Sequence, residues 1–210
     1  FAGTGASGNG AVGAWDDKMP AANEESWHQG TDGIDQQVRD DSFIYTNSMI
    51  DGVTVILNYK PGETTHDSTV GGGIQFTGVE GLEVGVASED NNTTDGAVVE
   101  NTVAYITYAM DAFTVGFQSN ETDSQSTNAD TEFEAWGVSY AVSEDISISY
   151  GSSTVEFEDT SLSDQEADAL GVSWTNGSMS ITASRHDIAN VAGTSTDDRD
   201  VTEVNLTFAF

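Results

Sequence analysis

Carboxylates are the chemically conspicuous residues of this chain. The first 41 positions hold Asp16, Asp17, Glu24, Glu25, Asp32, Asp35, Asp40 and Asp41 against only Lys18 and Arg39. Adjacent pairs such as Asp16-Asp17, Glu24-Glu25 and Asp197-Asp198 have the make-up of general acid/base pairs. In a chain of 36 acidic and 5 basic residues, however, they read first as solvated loop charges. His28, His66 and His186 stand in or beside separate loops, without the HxxxH spacing of a metal site. No G-x-S-x-G nucleophile elbow occurs, and Gly71-Gly72-Gly73 is followed by neither a helix pattern nor a Lys, so it is no phosphate loop. The chain has no cysteine, which removes disulfides and thiolate ligands. Oxygen-rich loops around Asp90–Asp95 and at Asp197-Asp198 could hold Ca²⁺ or Mg²⁺ weakly. With no catalytic set in sight, the chain is expected not to be an enzyme and to need no cofactor beyond such loop-bound ions.

Charge narrows the partners. A formal net charge of −31 leaves no basic footprint for nucleic acid and disfavours docking onto an anionic membrane surface. Glycine is abundant at 22 and proline scarce at 2. No run of about 18 apolar residues exists, so no transmembrane helix is expected. That does not speak against a membrane barrel, where only alternate residues of each strand meet lipid. No signal-peptide pattern begins at Phe1.

The elements that must position these carboxylates fall into two parts. Residues 1–41 are expected to hold the end of a strand at Phe1–Gly5, then a long acidic loop. Trp15, Met19 and Trp27 give that loop something to bury, and a short helical turn is expected around Ala21–Trp27. Residues 42–210 read as a ladder of antiparallel hairpins. Tight turns recur near residues 51, 80, 111, 144 and 176, a spacing of roughly thirty residues. Between them lie polar loops: Pro61–Ser68, Glu89–Glu100, Asn120–Asp130, Glu156–Glu166 and Asp187–Arg199. Strict alternation of short turns and long loops is the habit of transmembrane barrels, whereas a Greek-key sandwich mixes its connection lengths.

Strand faces agree with that reading. In the last strand Val204, Leu206, Phe208 and Phe210 fall on one side and Glu203, Asn205, Thr207 and Ala209 on the other. Across the ladder one face carries Val, Ile, Leu and aromatics; the other reads Thr54, Asn58, Lys60, Gln75, Glu83, Thr114, Gln118, Ser139, Ser147, Ser173 and Glu203. A soluble sandwich needs an apolar inner face; here the polar face is expected to enclose water. Ile44, Ile56 and Ile106 blur the parity. A secreted acidic solenoid or adhesin would show G-G-x-G-x-D repeats, which are absent. A substrate-specific or receptor-type barrel would show aromatic tracks or basic ladders inside, and none is evident.

The segment Arg39-Asp40-Asp41-Ser42-Phe43-Ile44-Tyr45, then Asp51-Gly52-Val53 with Tyr59 and Pro61, and finally Leu206-Thr207-Phe208-Ala209-Phe210 resemble the general bacterial porins of Gram-negative outer membranes. The resemblance implies an all-β, transmembrane antiparallel up-and-down barrel, with about eleven strands present of an expected total of about sixteen. Counting back from the last strand puts residues 6–41 where such porins place the loop that folds inward and narrows the pore. The chain is thus expected to be the C-terminal portion of a longer barrel, lacking about five strands before Phe1. The implied function is a water-filled channel for passive diffusion of ions and small hydrophilic solutes, cation-preferring or weakly selective. Asp16, Asp17, Lys18, Glu24, Glu25, Asp32, Asp35 and Arg39 would form its constriction, and Lys60, Glu83, Gln118 and Glu203 its wall. The implied partners are two further copies in a homotrimer, outer-membrane lipid and lipopolysaccharide, and the barrel-assembly machinery, met through Val204, Leu206, Phe208 and Phe210.

Overall fold

The computed structural model describes residues 2–3, 10–34, 42–62, 66–93 and 98–209. Asp35, Arg39, Asp95 and Phe210 lie outside the described residues. One antiparallel sheet holds every strand in sequence order: β1 (Ala2–Gly3), β2 (Ser42–Ile50), β3 (Val53–Lys60), β4 (His66–Val79), β5 (Leu82–Thr93), β6 (Val98–Met110), β7 (Phe113–Ser124), β8 (Thr131–Ala141), β9 (Ile146–Phe157), β10 (Gln165–Asn176), β11 (Met179–Ala189) and β12 (Arg199–Phe208). Each neighbour in sequence is a neighbour in the sheet, the up-and-down topology of the expected barrel wall. One short helix, α1 (Ala11–Trp15), precedes β2.

Turn chemistry explains one rim. Gly52, Gly81 and Gly177 hold φ of 71°, 78° and 59° at two-residue turns, a backbone region that glycine enters without strain. Asp111 takes the same kind of position at φ 53° between β6 and β7, as short polar side chains tolerate.

The alternation is inside-out relative to a soluble protein. On β7, Phe113, Val115 and Phe117 are 45–48 % exposed, whereas Gln118 and Asn120 are at most 1 % exposed. The same holds for Trp136 against Ala135, Leu170 against Ala169 and Ile148 against Ser149. A continuous exposed belt that includes Phe43, Tyr45, Leu57, Tyr59, Phe76, Ile106, Tyr108, Phe113, Phe117, Trp136, Tyr150, Leu206 and Phe208 suits acyl chains rather than water.

The structure corrects the loop lengths. β5 runs on to Thr93, β6 begins at Val98, β7 reaches Ser124, and β10 begins at Gln165, so much of what reads as acidic loop is strand. These strands have 12–13 residues, about 40 Å at 3.3 Å per residue, against a hydrocarbon core of about 30 Å. Their ends rise past the lipid and become polar on both faces, which hides the strand period. On the outward side of these ends carboxylates stand directly opposite one another: Asp90, Glu100 and Asp123; Glu121, Glu132 and Glu156; Asp168, Asp187 and Asp200.

Candidate functional site

Residues Gly10–Ile34 form a strap that crosses the polar face of the sheet from β3 to β12. Its helix is α1, while the stretch Ala21–Trp27, expected to be a short helical turn, bends at 22–24 and then closes in single hydrogen-bonded turns, the His28 N–H donating to the Glu25 carbonyl at 3.2 Å and the Gly30 N–H to the Trp27 carbonyl at 2.7 Å. Tertiary burial decides this. Val12 and Trp15 drop into a recess formed by Ile56, Ala87, Val103 and Tyr105. A Cβ at Gly73 would overlap the Trp15 ring. Ile56 therefore faces inward, and Ile44 packs on the same cluster, while Ile106 faces out; the blurred parity marks the place where the helix docks. Asn58 Oδ1 accepts the Ala11 N–H at 3.0 Å.

Beyond α1 nearly every contact of the strap goes to a wall side chain. Lys18 N–H donates to Gln118 Oε1 at 3.0 Å, and Gln118 Nε2 donates to the Asp16 carbonyl. Met19 and Pro20 lie over Gly116 and Gly137, which pair across β7 and β8. Ala22 N–H donates to Ser149 Oγ at 2.7 Å, Asn23 Nδ2 to Ser184 Oγ at 3.0 Å and Ser26 Oγ to Ser153 Oγ at 2.9 Å. Trp27 meets Phe133 edge-on at 4.9 Å within a second apolar cluster that includes Met19 and Val155. Gln29 Nε2 donates to Glu203 Oε1 at 3.1 Å, and Arg199 Nη1 donates to the Gln29 carbonyl at 2.9 Å. Thr31 exchanges two bonds with Gln165: its N–H donates to Oε1 at 3.2 Å, and its carbonyl accepts from Nε2 at 2.9 Å. Thr122 and Thr131 hydroxyls close the strap on the Gly33 carbonyl at 2.8 and 3.0 Å.

Between these anchors opens a solvent-connected cavity of about 610 Å³ whose lining includes Asp16, Asp17, Glu24, Glu25, Asp32 and His28. Burial, followed by the nearby Asp17 carboxylate to which it is hydrogen-bonded, pushes the Glu25 carboxyl up to about 8. Burial also raises the Asp32 carboxyl, although its Oδ1 accepts the Ile34 N–H at 3.2 Å. His28 stands between Glu24 and Glu203, at 3.4 and 3.6 Å.

The expected site residues thus divide. Asp17, Glu24, Glu25 and Asp32 meet at the cavity, joined by a largely buried Asp16. Lys18 is no free opposing cation: its Nζ pairs with Glu83 Oε1 at 3.7 Å and lies over the Tyr105 ring. Glu83 is itself held by the Tyr105 hydroxyl at 2.7 Å and by Gln75 at 3.0 Å. Lys60 is half-buried on the inward face and already engaged. Gln118, expected on a water-lined wall, is fully buried beneath the strap. Water does not fill the whole interior: Val103, Tyr105, Phe133, Ala135 and Val155 make dry patches where the strap rests. His186, read as a loop histidine, sits on β11 fully buried, with Nε2 2.9 Å from Ser184 Oγ. Asp90 is exposed on β5, Asp197 is paired to Arg199 at 2.8 Å, and Asp198 caps the Asn190 N–H at 3.0 Å. Among the described residues no three acidic or histidine side chains converge as a metal site.

Sequence reasoning missed Gln165, Asn101, Asn120 and Thr122, all buried under or beside the strap. A signal existed. In a chain so rich in carboxylates, the inward face also carries a set of neutral amides, which both donate and accept, at Asn58, Asn101, Gln118, Asn120 and Gln165, with the buried Glu89 beside Asn58.

An up-and-down sheet with a lipid-compatible exterior and an acidic strap across its polar inner face defines a class: the outer-membrane β-barrel with an inward-folded loop. The chain belongs to the Gram-negative porin family, whose model matches residues 2–174, and it is an outer-membrane protein. No curated protein matches it by sequence. Among solved structures it is similar to an anion-selective porin from Comamonas acidovorans, at 12 % identity and a TM-score of 0.65 over 91 % of this chain and 66 % of that one. It is also similar to a loop L8 deletion mutant of OmpT, an outer membrane protein of Vibrio cholerae, at 16 % identity and a TM-score of 0.59 over 80 % of this chain and 62 % of that one. The chain therefore spans just under two thirds of the length of these structures.

Proposed function

We propose that this protein is a water-filled channel for passive diffusion of small hydrophilic solutes and ions, that it prefers cations, and that it acts by transport rather than catalysis. The observation that carries the reading is the strap: Asp17, Glu24, Glu25 and Asp32 gather around one cavity on the inner side of the wall, and Lys18 is neutralised by Glu83. Charge placed at a narrowing inside a low-dielectric tube acts on passing ions over a distance that bulk water would screen. The Comamonas porin is anion-selective, but at 12 % identity it speaks for the fold alone, and selectivity follows from this chain's own carboxylates. A homotrimer is part of the proposal, as is contact of the apolar belt with outer-membrane lipid and lipopolysaccharide and insertion by the barrel-assembly machinery through Val204, Leu206 and Phe208. Reconstitution into a planar bilayer under a KCl gradient tests the selectivity. A reversal potential of the sign for cation flow is expected, and clear anion preference would overturn it.

A further inference from the structure

We infer that Gln118 and Gln165 are positioning residues that set the aperture by clipping the strap to the wall at the two ends of its acidic stretch. This rests on the channel reading above and goes beyond it in naming what holds the constriction in place. Both side chains are at most 1 % exposed. Each amide bonds to backbone in the manner of a single rung of β-ladder. Gln118 accepts from Lys18 N–H and donates to the Asp16 carbonyl, so it grips the peptides on both sides of Asp17. Gln165 does the same to the N–H and carbonyl of Thr31, the neighbour of Asp32. The two amides thus fasten the backbone at either end of the stretch from Asp16 to Asp32 that lines the cavity, and between them it is the side-chain contacts of Asn23, Ser26 and Gln29 and the Ala22 N–H that meet the wall.

Only an amide does this work. A carboxylate of the same size would face the Asp16 or Thr31 carbonyl with no proton to give, and an apolar side chain would leave buried backbone groups unpaired. The surroundings reserve the space. A Cβ at Gly30 would lie 2.6 Å from Gln165 Oε1, and Gln118 is braced by Asn120 Oδ1 at 3.0 Å. Gln165 has a further partner: its Oε1 also accepts the Ala192 N–H at 3.1 Å, in the 3₁₀ turn Val191–Gly193 between β11 and β12. The Gln165 clip is thereby shared with the loop between β11 and β12.

The test uses the protein purified from outer membranes, wild type and with Gln118→Met, Gln165→Met or both, reconstituted in planar bilayers. Methionine keeps the volume and removes both bonds. Folding is checked by the heat-dependent shift in gel mobility that a closed barrel gives. Each single variant is expected to fold, to conduct more per channel with greater current noise, and to lose roughly half of its cation preference, because the carboxylates no longer stay in the conducting path. Should a Met variant fail to fold, Gln118→Asn and Gln165→Asn, which retain the amide but fall short of the strap backbone, carry the same expectation. Folded variants with unchanged conductance and selectivity would overturn the inference while leaving the channel intact. A wild type that opens no channels would instead overturn the proposed function.

Discussion

Glu25 is the residue whose titration should be visible in function. Its carboxyl is raised to about 8 by burial and by Asp17, so it carries a proton near neutral pH. Raising the pH from 7 to 9 adds one negative charge to the strap, and cation preference measured by reversal potential should rise with a midpoint near 8. Glu25→Gln should abolish that step and leave the preference at its neutral-pH value. The sign for stability is opposite. The folded pKa lies above the unfolded value of 4.5, so ionisation costs nothing below about 4.5, and the cost grows as pH climbs towards 8 and is complete above it. Local loosening of the strap, read by proteolysis, should therefore increase on the alkaline side.

At the scale of elements, the strap and the strands are matched by shape as much as by hydrogen bonds. Gly116, Gly137 and Gly151 pair in one row across β7, β8 and β9, and their missing side chains leave a furrow in which Met19, Pro20 and Ser26 rest. A Cβ at Gly116 would lie 2.6 Å from Pro20 Cδ, a cyclic atom with no rotamer to escape into. Gly116→Val should therefore push the strap away from the wall and into the lumen. Single-channel conductance should fall, while the barrel, whose ladder does not depend on that side chain, still inserts. Unaltered conductance in the folded variant would show that the furrow does not position the strap.

The whole molecule is dominated by like charge. Its outward carboxylates oppose one another across strands, as in Glu121, Glu132 and Glu156, with Arg185 the cation set between Asp187 and Asp200 at 3.1 and 3.4 Å. Like charges directly opposite in a sheet destabilise it, and at 0.1 M salt screening acts only beyond about 10 Å. Detergent-purified protein should unfold at a lower temperature in low salt with EDTA than in molar NaCl or in Mg²⁺, by thermal circular dichroism. Equal unfolding temperatures would remove the case for screening by salt or divalent ions as a requirement of this surface.

Much of this was legible in the chain itself. Period-two alternation from Ser42 to Phe208, with turn residues at regular spacing, suffices to specify an up-and-down sheet, because strand geometry sends neighbouring side chains to opposite faces whatever surrounds them. The polar identity of one face, together with the apolar face of the last strand in the chain given, suffices to say which side meets lipid. The path of the strap was not legible. That Trp15 seeks the recess under Ile56 and Val103, that Gln165 meets Thr31 across 134 positions of sequence, and that Lys18 is spent on Glu83 depend on which inward side chains the curved sheet brings together. Local pattern carries the period of a strand. It carries no record of which distant groups will share a buried space, and only tertiary structure decides that.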